Sequence, residues 1–162
     1  MAPLGKIKFL TIHCSATPEG RSVSAGQITK WDKAKFGQTS YHWVIELDGT
    51  PIRTLSDRYK GAHVGGHNTG NVGICYVGGM DIQMHFPKDT RTDPQKLAMR
   101  NLVDFYRANY PGIIIRGHRD WSPDLNGDGI IDGQDLWPMQ GAGGGRFFRF
   151  QAASIVAGGC DA

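Results

Sequence analysis

An α+β fold, a single mixed central β-sheet flanked by helices, is the class this sequence predicts. Three observations carry that expectation. Two short β-type runs each end at a histidine, two helix-length segments each open on a capping signal, and an Asp-Gly pair separates two further short apolar runs. Taken in chain order they read β-α-β-β-loop-β-α-β, a succession that layers helices on the faces of a mixed sheet.

The first run, Lys6 to His13 (KIKFLTIH), alternates and is rich in Ile, Phe and Leu, so it reads as a strand delivering His13 to its C-terminal end. Ser24 and Gln27 have capping-box spacing, and Ile28, Trp31 and Ala34 or Lys35 follow at helical intervals, which predicts a helix ending near Gly37. Tyr41 to Leu47 and Ile52 to Leu55 flank Asp48-Gly49, the signature of an antiparallel hairpin. Gly61 to Gly73 (GAHVGGHNTGNVG) has no periodicity and reads as a loop feeding an apolar strand, Val72 to Val77. Thr92-Asp-Pro-Gln95 opens a second helix, with Ala98, Leu102, Phe105, Tyr106 and Asn109 on one stripe and Pro111 as its stop. Ile113 to Ile115 reads as a buried strand leading to His118. Both histidine-bearing strands are expected in the sheet interior.

At 162 residues, 40% of them hydrophobic, the chain has the size and composition of one packed domain. That domain is expected over 1–140, followed by a Gly-rich tail, 141–162, whose glycines read as linker and whose Phe147, Phe148 and Phe150 read as packing. A net charge of +3 gives only a mild preference for anionic partners. The lysines and arginines are dispersed and no recognition motif occurs, so no nucleic-acid partner is expected. No run approaches the roughly twenty apolar residues that span a bilayer, and the N-terminal apolar stretch is interrupted by Lys6 and Lys8, so neither membrane nor signal peptide is expected. Three widely spaced cysteines, Cys14, Cys75 and Cys160, argue against a disulfide framework, and Cys75 reads as inert core.

His13 and His118, each following a strand, are placed to emerge at one rim of the sheet, the arrangement a metal site requires. Zinc takes neutral imidazole nitrogens, and a catalytic zinc has three protein ligands and one open position. His42 is expected on the opposite sheet face from Tyr41 in a structural role, and His67 and His85 as surface residues. The ordered set Thr11-Ile-His13-Cys-Ser-Ala-Thr17, Tyr41-His-Trp-Val-Ile45 with Asp48-Gly-Thr50, His63-Val-Gly-Gly-His-Asn68 with Val72-Gly-Ile74, and Arg116-Gly-His118-Arg-Asp120 resembles the type 2 N-acetylmuramoyl-L-alanine amidases. That family includes amidase-type phage lysozymes and the peptidoglycan recognition proteins. The resemblance runs from about Lys6 to Pro123.

It implies a zinc hydrolase of the amide bond between the muramic acid lactyl group and L-alanine of peptidoglycan. His13 and His118 match two zinc ligands, Tyr41 matches a tyrosine beside the metal that donates to the developing oxyanion, and His63 and Asn68 match the substrate wall. The partners implied are peptidoglycan or its muropeptide fragments. A monomer is expected, cytoplasmic or released at lysis in the manner of phage lysins. The chain departs from the family at the third ligand, a cysteine or aspartate shortly after the second histidine, where only Asp128 and Cys160 are candidates. Because some peptidoglycan recognition proteins bind the wall without cutting it, a non-catalytic binding module of the same fold is the alternative.

A second metal is expected from Asp124 to Asp135 (DLNGDGIIDGQD), which fits the twelve-residue calcium loop with Asp124, Asn126, Asp128, the Ile130 carbonyl, Asp132 and Asp135 as oxygen ligands. Its role there is structural, folding the connection after His118. A calcium-dependent interaction protein is the third function class, resting on these twelve residues alone.

Overall fold

The computed structural model describes residues 1–122. The calcium loop at 124–135, Cys160 and the boundary between 140 and 141 lie outside the described residues.

Five strands form the main sheet in the order β4-β3-β5-β1-β7. They are β1 (Phe9–Cys14), β3 (Trp43–Ile45), β4 (Pro51–Arg53), β5 (Asn71–Tyr76) and β7 (Ile114–Gly117). β2 (Thr17–Pro18) and β6 (Gly79–Met80) pair in a small separate ladder. β1 runs parallel to both β5 and β7, β5 runs parallel to β3, and only β3 and β4 are antiparallel. The sheet is therefore mixed, and it is joined by α1 (Ala25–Phe36) and α2 (Asp93–Asn109).

Strand periodicity sorts the side chains onto two faces. Leu10 and Ile12 of β1, Ile45 of β3 and Val72 and Ile74 of β5 pack against Ala98, Met99, Leu102, Val103 and Tyr106 of α2. On the other face Val44, Cys75 and Val77 pack against Val23, Ala25 and Ile28 at the start of α1. Each such aliphatic side chain contributes about 1.5–3 kcal/mol when fully buried. Cys75 is buried core with a free thiol, as its apolar run predicts.

Both helix starts are where the sequence places them. Ser24 accepts from the Gln27 N–H while Glu46 takes the Ala25 N–H, and Gly37 closes α1 with the left-handed φ of 71° that glycine adopts without penalty. At α2 the Thr92–Gln95 box is complete. Gln95 is fully buried and its amide also donates to the Val77 and Ile45 carbonyls, pinning the helix start to the ends of β5 and β3.

Three expectations are corrected. β7 is an edge strand with Ile114 half-exposed, because among the described residues only β1 pairs with it. An apolar run signals a strand without signalling how many neighbours it has. In α1, Trp31 faces solvent while Asp32 turns inward, because its carboxylate accepts from the Ser40 N–H in the segment after the helix. In α2, Ala98, Leu102 and Tyr106 are buried as expected, but Phe105 and Asn109 lie outside the stripe, which Gln95, Met99 and Val103 complete.

Thr92 also donates its hydroxyl to the Leu47 carbonyl, so it holds a helix terminus and the β3–β4 turn together. Thr92→Ala is expected to lower stability by about 1–2 kcal/mol, with Thr92→Ser retaining most of it, as read by urea unfolding.

Candidate active site

The face of the sheet that carries α1 also carries the chemistry. The same alternation that sends Leu10 and Ile12 to α2 sends Thr11 and His13 to this face, and the register sets Thr11 beside Gly73 and His13 beside Cys75. β7 ends at Gly117, and a short 3-10 turn (His118–Trp121) follows immediately, tied by the Asp120 carboxylate accepting the Gly117 N–H. That turn brings His118 over the end of β1, with its Nδ1 2.9 Å from His13 Nδ1. The two histidines expected at one rim therefore meet there.

Tyr41 is the third member, its ring 5.2 Å from that of His13. It packs on the α1-side core, and burial, with Cys75 beside it, holds the phenol well above its ordinary pKa. Tyr41 is therefore a neutral hydrogen-bond donor throughout the working pH range. His13 is 5% exposed, and burial, reinforced by His118 and then His63, keeps it well below the usual imidazole range. Burial lowers His118 as well. Both rings are neutral at pH 7, the form in which imidazole binds a cation.

His63 and Asn68, expected on a substrate wall, are placed differently. His63 is 6% exposed, with Nδ1 3.0 Å from His13 Nε2 and Nε2 3.0 Å from the Asn71 carbonyl. Burial and then His42 bring its pKa down to about 3. The Asn68 amide oxygen accepts from the His63 and Val64 N–H groups, shaping the loop that holds the ring. The His63 ring thus sits behind His13 with both nitrogens engaged, and the Asn68 oxygen is committed to the loop that holds it. His42, expected to be structural, is fully buried and bridges the Gly73 N–H to the Tyr59 carbonyl. His67 and His85 are exposed, and the His67 ring lies 4.8 Å from that of Trp121, tilted by 31°.

Five further residues, to which the sequence reading assigns no role, contribute. Trp121 donates its indole N–H to Thr11, Thr11 donates to the Asn71 side chain, and the Asn71 amide donates to the His67 carbonyl. Arg116 lies over the rings of Phe9, at 5.4 Å, and Trp121, at 4.5 Å. This network locks β7 and the His118 turn onto β1. Gly73 is the fifth: a side chain there would meet the His63 ring at 2.8 Å. A glycine inside an otherwise apolar strand marks such a close approach and is the signal that could have found it.

The sequence profile of N-acetylmuramoyl-L-alanine amidase matches residues 3–128. The chain belongs to this amidase family. Its relatives include the endolysin of Klebsiella phage KP32, 34% identical over 113 residues that span 69% of this chain and 74% of that one. Among solved structures, the endolysin amidase LysCS of Clostridium intestinale is superimposable with a TM-score of 0.62 at 21% identity, over 74% of this chain and 73% of that one. Bumblebee PGRP-SA gives 0.59 at 20% identity, over 72% of each. At these identities the structural likeness establishes the fold.

No group of three or more His, Cys, Asp or Glu side chains able to hold a metal occurs among the described residues. Two histidine ring nitrogens face each other, and the candidates for a third ligand, Asp128 and Cys160, lie outside the described residues.

The buried neutral histidines make a pH prediction for chelator-treated protein. A group whose folded pKa is lowered confers full stability above its unfolded value, 6.5, and that stability is lost as pH falls towards the folded value, about 3 for His63. Each such ring contributes a slope of about 1.4 kcal/mol per pH unit in that window. Urea unfolding is expected to give constant stability above about pH 7 and a steep decline through pH 6 and 5; a flat profile to pH 5 would contradict the neutral cluster.

Proposed function

We propose that this chain is a zinc-dependent hydrolase of peptidoglycan, cutting the amide bond between the muramic acid lactyl group and L-alanine. The observation that supports it most directly is the pair of neutral imidazole nitrogens, His13 Nδ1 and His118 Nδ1, facing each other at 2.9 Å beside the Tyr41 ring. Family membership supplies the reaction class and the substrate class.

The donor set fits the metal: two neutral imidazoles suit zinc, and their mutual approach leaves no other protein group between them. When bound, zinc supplies Lewis-acid polarisation of the scissile carbonyl and lowers the pKa of a water towards about 7. The protein's own residues do the rest. Tyr41, held protonated by burial, donates its phenolic hydrogen to the substrate carbonyl oxygen as negative charge develops there. Water adds to the carbonyl carbon, the C–N bond breaks, and the alanine nitrogen leaves as an amine after taking up a proton. The half-buried His118 lies at the open side of the pair, and the buried His13 behind it excludes water from that side.

The same reading places the enzyme at the cell wall after release at lysis, as for the phage endolysins it resembles. No helix among the described residues is long and apolar enough to cross a membrane. Calcium at 124–135 is a second proposal, resting on the spacing of its oxygen ligands.

Elemental analysis of protein purified without chelator tests both metals. About one zinc per chain, lost in His13→Ala and in His118→Ala, is expected, with calcium retained in both variants and removed by Asp124→Ala with Asp128→Ala. Wild type without zinc, yet still retained on purified cell wall, would instead establish a binding module without turnover. On zinc-loaded enzyme, Tyr41→Phe is expected to lower kcat about 10²–10³-fold with KM little changed, measured as release of stem peptide from purified wall.

A further inference from the structure

We propose that His63 is a positioning residue: it accepts a hydrogen bond from His13 Nε2 and so fixes His13 in the tautomer whose bare Nδ1 faces His118. The inference rests on the metal reading above and adds to it the group that orients the first ligand.

The direction of this relay follows from its fixed end. A backbone carbonyl can only accept, so the His63 Nε2 that lies 3.0 Å from the Asn71 oxygen carries its ring's hydrogen. A neutral imidazole has one N–H, which leaves His63 Nδ1 with a lone pair. His63 Nδ1 lies 3.0 Å from His13 Nε2, so His13 Nε2 is the donor in that contact. The single hydrogen of His13 is thereby committed, and its Nδ1 is bare and directed at His118 Nδ1. Tautomer control of a ligating imidazole by the partner of its other nitrogen is a general device of metal sites. Here the partner is a second imidazole, itself oriented by the main chain.

The fold provides that orientation. β3 begins its pairing with β5 at Trp43 and Ile74, preceded by the His42 N–H on the Gly73 carbonyl. The Asn71 carbonyl, two residues earlier on β5, lies beyond the end of β3 and takes the His63 ring instead. The ring occupies a slot between two glycines: a Cβ on Gly73 would meet it at 2.8 Å, and one on Gly61 at 3.1 Å. From outside, Asn68 holds the His63 backbone through its N–H. The ring is thus seated by a strand end, two glycines and a loop clamp.

The test measures zinc affinity directly, by competition with a chromophoric chelator, on full-length wild type, His63→Leu and His63→Asn, alongside long-range ¹H–¹⁵N NMR of the histidine rings in metal-free wild type. Expected are a His13 ring protonated at Nε2, a tenfold to hundredfold loss of zinc affinity in His63→Leu, and substantial recovery in His63→Asn, whose amide oxygen stands where Nδ1 stood. A folded His63→Leu protein with wild-type zinc affinity would overturn the proposal and leave the metal reading intact. Wild type that binds no zinc while His13 is protonated at Nε2 would overturn the metal reading and leave the relay intact. Should His63→Leu fail to fold, the wild-type spectrum decides alone: His13 protonated at Nδ1 overturns the relay.

Discussion

The pairing of β1 on both of its edges is the constraint from which the site follows. Six residues of β1 are matched in parallel register to β5 and four to β7, so the strand can neither slip nor rotate without turning its apolar side chains away from α2. Leu10 and Ile12 are anchored in the α2-side core, and alternation then leaves Thr11 and His13 no choice of face. Thr11 meets Asn71 and Trp121, and His13 meets His63 and His118. Hydrophobic burial on one side of a strand therefore positions polar chemistry on the other, and the precision of the site is inherited from the packing of the core.

How much of this the sequence discloses depends on how local the controlling interaction is. Helix starts are legible because Ser24, Thr92 and Gln95 act within a single turn. The hairpin is legible because Asp48 and Gly49 act within the turn they form, with Gly49 at φ 89°. His13, His118 and Tyr41 are legible as a group because strand ends and the family resemblance mark them. Interactions between distant segments are not. Asp32 turns inward for the Ser40 N–H, and β7 becomes an edge because of which strand it joins; neither cause lies in the residues that show the effect. His63 is the sharpest case. Its loop has no periodicity, so only the family resemblance gives it a role, on a substrate wall, whereas the gap left where β3 stops short seats its ring behind His13.

Burial of three imidazoles together carries an energetic cost that the fold offsets elsewhere. Each ring is held neutral in a region with little water, and each loses hydration that only a hydrogen bond can replace. The main-chain carbonyl of Asn71 and the chain of rings provide those bonds. Around them, Thr11 links Asn71 to Trp121, and Arg116 lies over the Trp121 ring. Through Asn71, the Trp121–Thr11 pair and the His63–His13–His118 chain form one connected network, the condition under which a buried polar cluster rigidifies a fold instead of weakening it.

Counting hydrogens across the cluster separates the roles of its two cleft-side histidines. Three neutral rings carry three N–H groups; one is committed to Asn71 and one to His63. The third belongs to His118, and the 2.9 Å approach to His13 Nδ1 is closed when that hydrogen sits on His118 Nδ1. Receiving a cation then requires His118 to carry its hydrogen on Nε2, while His13 needs no rearrangement. The burdens match the burials: the ring that stays fixed is sealed at 5% exposure, and the ring that adjusts stands half-exposed on a short turn. A cation received between them would thus meet one ring already set and one, on a short turn, able to reorient.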